Sequence, residues 1–275
     1  MQCADREEAV SESVWVWGVP FTPMTLSETV AAVGRLVAAR KPAYFITANT
    51  HYVMLTAENP DLSAVNQQAA FIVADGAPLV WASRWQRSPL PERVAGSDLI
   101  FEVCAKAAEE SYRIFLLGGA SGVAEEAARR LQTRYTNLQI VGVECPPFRE
   151  LSPGEQTALV THIRSVRPDI VFVAFGQPKG ERWIYRNLAE LDVPVCVQVG
   201  ASLDFAAGRV RRAPRWMQIA GLEWAFRLAL EPRRLFIRYA RNAWFILRMV
   251  VCDLTRASRR PQVLHSSPPS NISSP

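Results

Sequence analysis

The chain is poor in metal-binding residues: three histidines (His51, His162, His265) and five cysteines (Cys3, Cys104, Cys145, Cys196, Cys252) in 275 residues. All are widely separated and no C-x-x-C occurs, which gives no zinc site and points to a reducing cytosol. The first residues, MQCADREEAV, lack both a basic and an apolar region, so no secretory signal is expected. Lysine is missing altogether from Arg209 to Arg260. That segment instead holds thirteen arginines against Glu223, Glu231 and Asp253, a net charge of +10. Because the whole chain carries +5, the remainder is at −5. An acidic body carrying a basic C-terminal segment suggests an anionic partner.

What is present is a packed globular composition, 49% hydrophobic and 21% charged. Apolar β-rich runs alternate with helical patterns, the pattern of an α/β protein with a Rossmann-like, mostly parallel sheet flanked by helices. Strands are predicted near 14–19, 44–48, 71–74, 113–118, 138–143, 169–176 and 193–200. Thr25 and Glu28 form a capping-box pattern before a helix reaching about Ala39. The organisation predicted is a flexible N-terminus (1–13), an α/β domain (14–208), a basic helical appendage (209–260) and a disordered Ser/Pro-rich tail (261–275).

Ligands of open α/β sheets collect beyond the carboxyl ends of the strands. Five loops meet that rim: Thr47–Asn49–His51, Asp75–Gly76, Gly118–Gly119–Gly122, Gly176–Gln177–Lys179–Glu181 and Ser202–Asp204. Each has a plainer reading. Asn49 can be an N-cap and Asp75 a turn or cap residue, His51 can simply be packed, and Lys179 and Glu181 can be solvated charges at a helix start. LLGGASG exposes backbone N–H groups where a diphosphate could bind. Glu144, ending the next strand, falls where a ribose-binding acid would sit, so an NAD(P)-dependent oxidoreductase competes with a nucleotide-sugar enzyme. No D-x-D occurs anywhere. A departing diphosphate would therefore be neutralised by arginine, lysine or helix-terminal N–H groups.

Taken together, TANTHYVM, ADGAPLVW, RVAGSDL, LLGGASGVAEEAA, FVAFGQPKGERW and VGASLDFAAGRVRRAPRW resemble the WecG/TagA/CpsF glycosyltransferases. The likeness runs from about Val14 to Trp224 and more weakly to about residue 250. It implies a bacterial, inverting enzyme without metal or cofactor, moving a sugar from a UDP-sugar to an undecaprenyl-diphosphate-linked sugar. It implies Asp75 as catalytic base, Thr47 and Asn49 as positioning groups, and functional roles for Arg93 and Gln177. Where the family often has a polar residue after Lys179, this chain has Gly180. One carboxylate suits inversion: it takes the acceptor proton while the nucleotide leaves from the opposite face. Arg93 would hold the phosphates, and Asn49 and Gln177 would orient sugar hydroxyls.

Residues 233–257 are predicted to form a long amphipathic helix. Arg234, Arg238, Arg241 and Arg248 share one face; Phe236, Ala240, Ala243, Leu247, Val250, Val251 and Leu254 gather opposite, with Phe245 and Met249 spoiling the polar side. Either the apolar stripe packs on the body, or the helix lies in an anionic membrane surface. Its longest apolar run, Ala243 to Leu247, is far below the roughly 20 residues a spanning helix needs. The family resemblance favours membrane attachment, at the inner face of the plasma membrane, with basic residues brought over the donor phosphates; Arg212 and Arg215 are candidates for that role. A nucleic-acid module would leave the five-loop rim without a purpose. Homo-oligomerisation is left open.

Overall fold

The computed structural model describes residues 13–84, 89–147 and 149–257. The expectations for the N-terminus and the Ser/Pro-rich tail lie outside the described residues. The predicted first strand is in fact a hairpin, β1 (Val14–Val16) and β2 (Val19–Phe21), paired antiparallel with Val14 opposite Phe21. Trp17 and Gly18 have φ of 49° and 87° and make the tight turn. Two successive left-handed residues match the twist of a hairpin, so the run folds back on itself.

After α1 (Leu26–Ala39) come β3 (Ala43–Ala48), α2 (Thr50–Glu58), α3 (Leu62–Gln68) and β4 (Ile72–Ala74). Next are α4 (Ala77–Ser83), α5 (Gly96–Glu110), β5 (Arg113–Gly118), α6 (Val123–Arg134) and β6 (Gln139–Glu144). Then follow α7 (Pro153–Ser165), β7 (Ile170–Ala174), α8 (Lys179–Leu191), β8 (Val195–Gln198) and α9 (Ser202–Ala206). The C-terminal part contributes α10 (Arg215–Ile219), α11 (Glu223–Leu230) and α12 (Pro232–Ala257). The main sheet has the order β4-β3-β8-β7-β5-β6, with all these pairs parallel. All six carboxyl ends therefore face one rim.

Helices cover both faces, which is why the strands read as nearly continuous apolar runs. Alternate residues enter two cores. Phe45, Ile114, Leu116 and Phe172 join α1, α5 and α6, while Tyr44, Ile46, Phe115 and Val173 join α2, α3, α7 and α8. The Thr25 capping box is formed: Glu28 N–H donates to Thr25 Oγ1 at 3.2 Å, and Thr25 N–H donates to Glu28 Oε2 at 2.7 Å. The N–H groups of the N-cap Thr25 and of Glu28 are thus satisfied locally, while Leu26 N–H donates to the distant Glu92 Oε1 at 2.6 Å.

The amphipathic α12 docks with the opposite sense to the apolar-stripe-inward alternative. Leu235 and Asn242 are buried, and Phe245 meets Trp17 edge to face at 5.7 Å. Trp17 Nε1 donates to Asp253 Oδ2 at 3.0 Å, and Arg241 donates to both Glu58 oxygens at 3.0 Å. Phe236, Leu247, Val251 and Leu254 point outward, with Ile237 and Trp244 each 71% exposed. The mixed face is seated on the body and the apolar face is left in the open.

Candidate active site

A cavity of about 870 Å³ opens at the carboxyl rim of the sheet, roofed by α11 and α12. Its floor begins at the end of β3. Thr47 is buried, and its Oγ1 donates to the carbonyl of Gln198 at 3.3 Å, joining β3 to β8. Asn49 does cap α2, its Oδ1 accepting from Tyr52 N–H at 3.0 Å. That bond uses only the amide oxygen, so the nitrogen's donors remain for the cavity that Asn49 also lines. The capping and binding readings of Asn49 are compatible.

Asp75 follows β4, and its backbone N–H donates to Ala48 O at 2.9 Å. It is not the cap of α4, whose N-cap is Gly76 with no side-chain bond. Instead Asp75 Oδ2 accepts from Gly96 N–H at 3.2 Å, at the start of α5. A methyl placed on Gly96 would lie 3.5 Å from Asp75 Oδ2, 3.6 Å from Thr47 Oγ1 and 3.3 Å from Ser202 Oγ. Three loops thus close around a residue with no side chain. Burial raises the Asp75 pKa to about 6; Arg93 and the Gly96 N–H pull it down, while Glu223 and Asp98 push it up. Such a carboxyl is ionised near neutrality yet basic enough to accept a proton.

Gln177 and Arg93 complete this wall. Gln177 Nε2 donates to Thr47 O at 3.1 Å. Gly180 answers a packing need, since a Cβ there would stand 2.3 Å from Gln198 Cγ. Arg93 Nη1 donates to Glu223 Oε2 at 2.9 Å. Thr47, Asn49, Asp75, Arg93 and Gln177 all line the one cavity, as do Gly119 and Asp204. Burial raises the pKa of Asp204, against the pull of Arg234 and Arg227.

Other predicted residues sit elsewhere. Gly118 and Gly122 shape the turn with φ of 96° and 73°, but neither lines the cavity. Glu144 lies on the edge strand outside it, 3.6 Å from His162 Nε2, so it takes no part in a ribose pocket there. Lys179 begins α8 away from the lining, and Arg215 is exposed at the start of α10. Arg212 is turned onto Asp98, also outside the lining. Glu181 is not a solvated charge: it is 1% exposed, neither carboxyl oxygen has a hydrogen-bond partner, and burial lifts its pKa to about 8.

The cations that do reach the cavity from the C-terminal segment are Arg227, Arg234 and Arg238. Nε of Arg227 and of Arg238 is buried without a partner. His51 Nδ1 meets Asn242 Oδ1 at 3.2 Å, tying α2 to α12. Burial, then Arg238, lowers the His51 pKa, so it is neutral at physiological pH. Glu223, Arg227 and Arg238 escape a linear reading because helical periodicity does not say which face meets a distant loop. Among the described residues, no group of three His, Cys, Asp or Glu is arranged to hold a metal.

A parallel α/β sheet whose rim brings the carboxyls of Asp75, Asp204 and Glu223, amide and hydroxyl groups, and a facing set of arginines into one cavity has the chemistry to hold an anionic, hydroxyl-bearing ligand. The family model of the glycosyl transferase WecG/TagA/CpsF family matches residues 14–260, and the chain belongs to that family. It is a glycosyltransferase, which sets aside the oxidoreductase alternative. A Staphylococcus aureus (strain NCTC 8325 / PS 47) protein named N-acetylglucosaminyldiphosphoundecaprenol N-acetyl-beta-D-mannosaminyltransferase is 31% identical over 233 residues, covering 84% of this chain and 89% of its own length. A Bacillus spizizenii (strain ATCC 23059 / NRRL B-14472 / W23) protein of the same name is 32% identical over 194 residues, 70% of this chain and 74% of its own.

Proposed function

We propose that this enzyme transfers a hexose or N-acetylhexosamine-type sugar from a UDP-sugar to a sugar on undecaprenyl diphosphate, with inversion, in making a surface polysaccharide or teichoic-acid-type glycan. The names of the two relatives supply the acceptor class. The observation that carries the chemistry is Asp75, its pKa raised to about 6 beside Arg93 in a cavity shared with Thr47, Asn49 and Gln177. Asp75 takes the proton from the acceptor hydroxyl, and that oxygen attacks the anomeric carbon. The bond to UDP breaks on the opposite face. Arg93, with Arg227, Arg234 and Arg238, balances the charge on the departing diphosphate, for which the unpartnered Nε groups are suited donors. Asn49 and Gln177 orient sugar hydroxyls.

The same reading covers location. Among the described residues no helix is long and apolar enough to cross a membrane. The outward apolar side of α12, together with exposed Trp216 and Trp224, suits a helix lying in the membrane interface. This favours peripheral attachment at the inner face of the plasma membrane, where a lipid-linked acceptor would be met. The test is a panel of UDP-sugars offered with N-acetylglucosaminyl-diphosphoprenol, alongside thermal shift with UDP and with NAD(P)(H). Sugar transfer from one donor, with stabilisation by UDP alone, is expected. Stabilisation by a dinucleotide alone, with no transfer from any donor, would end the proposal.

A further inference from the structure

One acid of the otherwise basic C-terminal segment enters the site. Glu223 opens α11, lines the cavity with Asp75 and Arg93, and its side chain is 12% exposed. A carboxylate so far removed from water needs compensating cations. It has two: Arg93 Nη1 at 2.9 Å from Oε2, and Arg212 Nε at 3.7 Å from Oε1. Arg212 is held in turn by Asp98 of α5 and by Gln218 Oε1 at 3.2 Å. A chain of alternating charge, Asp98–Arg212–Glu223–Arg93, therefore runs from α5 through the C-terminal segment to the arginine beside Asp75.

The backbone fixes where Glu223 stands. Gly221, at φ 72°, turns the chain into α11, and a Cβ on it would lie 2.9 Å from Ala77 Cβ on α4. The residues on either side of Glu223, Leu222 and Trp224, are exposed apolar side chains. Seating of the segment against α4 thus sets the position of its acid.

We propose that Glu223 is a positioning residue of the transfer reaction, clamping Arg93 and Arg212 from the C-terminal segment so that Arg93 meets the donor diphosphate in register with Asp75. The inference rests on the glycosyl-transfer reading for what Arg93 holds. Its electrostatic part does not. The charged groups acting on Asp75 are Arg93, Arg212 and Arg238, which favour its ionised form, and Glu223 and Asp98, which oppose it. Deleting the Glu223 charge removes one opposing group and frees Arg93 from its partner. Both changes move Asp75 ionisation to lower pH.

The experiment compares wild type, Glu223→Gln and Glu223→Asp in the full chain. It follows kcat/KM for the donor against pH and, separately, the Asp75 carboxyl titration by carbon NMR on aspartate-labelled protein. Glu223→Gln should lose on the order of 10-fold or more in kcat/KM, since a small misplacement of a binding group is that costly. Its acid limb and the Asp75 midpoint should fall together to lower pH. Glu223→Asp keeps the charge but not the reach, so kcat/KM falls while the midpoint drops less than in Glu223→Gln. A folded Glu223→Gln protein with wild-type kcat/KM and an unmoved midpoint would overturn the inference. If Glu223→Gln does not fold, Glu223→Asp decides, and full wild-type kcat/KM there overturns it. A moved Asp75 midpoint in Glu223→Gln when the wild type itself transfers sugar from no UDP-sugar would uphold the electrostatic clamp and sink the UDP-sugar reading instead.

Discussion

Asp75 and Glu181 have raised pKa values for the same leading reason, burial, but their surroundings differ. Asp75 has a backbone donor at 3.2 Å and Arg93 to favour its ionised form. For Glu181, with no hydrogen bond within 3.5 Å to either oxygen, burial outweighs the weaker pull of its own backbone N–H, Gln177 and Arg182. Its folded-state pKa of about 8 stands above its ordinary value of 4.5, so the folded protein holds the proton more tightly than the unfolded chain. The resulting stability is complete below about pH 4.5, declines as pH rises, and is lost through about pH 8. Melting temperature measured across that window should fall in wild type and fall less in Glu181→Gln, which mimics the protonated form. An equal decline in both proteins would contradict a Glu181 carboxyl held protonated by burial. Sequence could nominate Glu181 only as a helix-start charge, because its burial depends on α8 packing over β3 and β8.

At the scale of elements, most boundaries were legible because they are written locally. The capping box of α1 needs no knowledge of the rest of the chain. The hairpin at Val14–Phe21 was not, since the β-rich run there conceals a turn made by Trp17 and Gly18. For α12, periodicity separated a polar from an apolar side but could not say how the helix is turned onto the body: Arg241 and Arg248 stay exposed, while Ala243 and Val250 of the apolar side line the cavity. The answer lies in partners far away in sequence, Trp17 and Glu58 among them. Leu235 is its buried anchor. Leu235→Ala should cost about 2–5 kcal/mol in urea unfolding, the range for a buried leucine. A loss within the range of exposed substitutions, about 0.5 kcal/mol, would mean that α12 is not seated as described. Gly180→Ala tests the opposite wall. Its methyl would overlap Gln198 and should destabilise by about 1–3 kcal/mol, whereas a neutral change in the same unfolding measurement would show that Gln198 simply moves aside.

For the whole molecule, an acidic body and a basic C-terminal segment place opposite charges around one cavity, and the segment leaves its apolar side uncovered. A double change of Trp244 and Leu247 to glutamate alters exposed positions, so folding should be unaffected while sedimentation with anionic vesicles is lost. Retained vesicle binding would remove the interfacial role of α12. The candidate rim residues were legible because strand ends converge in any parallel sheet; the arginines opposite them were not, because only tertiary packing turns Arg227 and Arg238 inward. The central claim is that these two walls form one transfer site built around a single base. Asp75→Asn tests it most directly, by UDP affinity and sugar transfer measured on the same preparation. The account predicts UDP binding close to wild type with turnover reduced about 10²–10⁴-fold, the usual contribution of a general base. Near-normal turnover in that variant would contradict it.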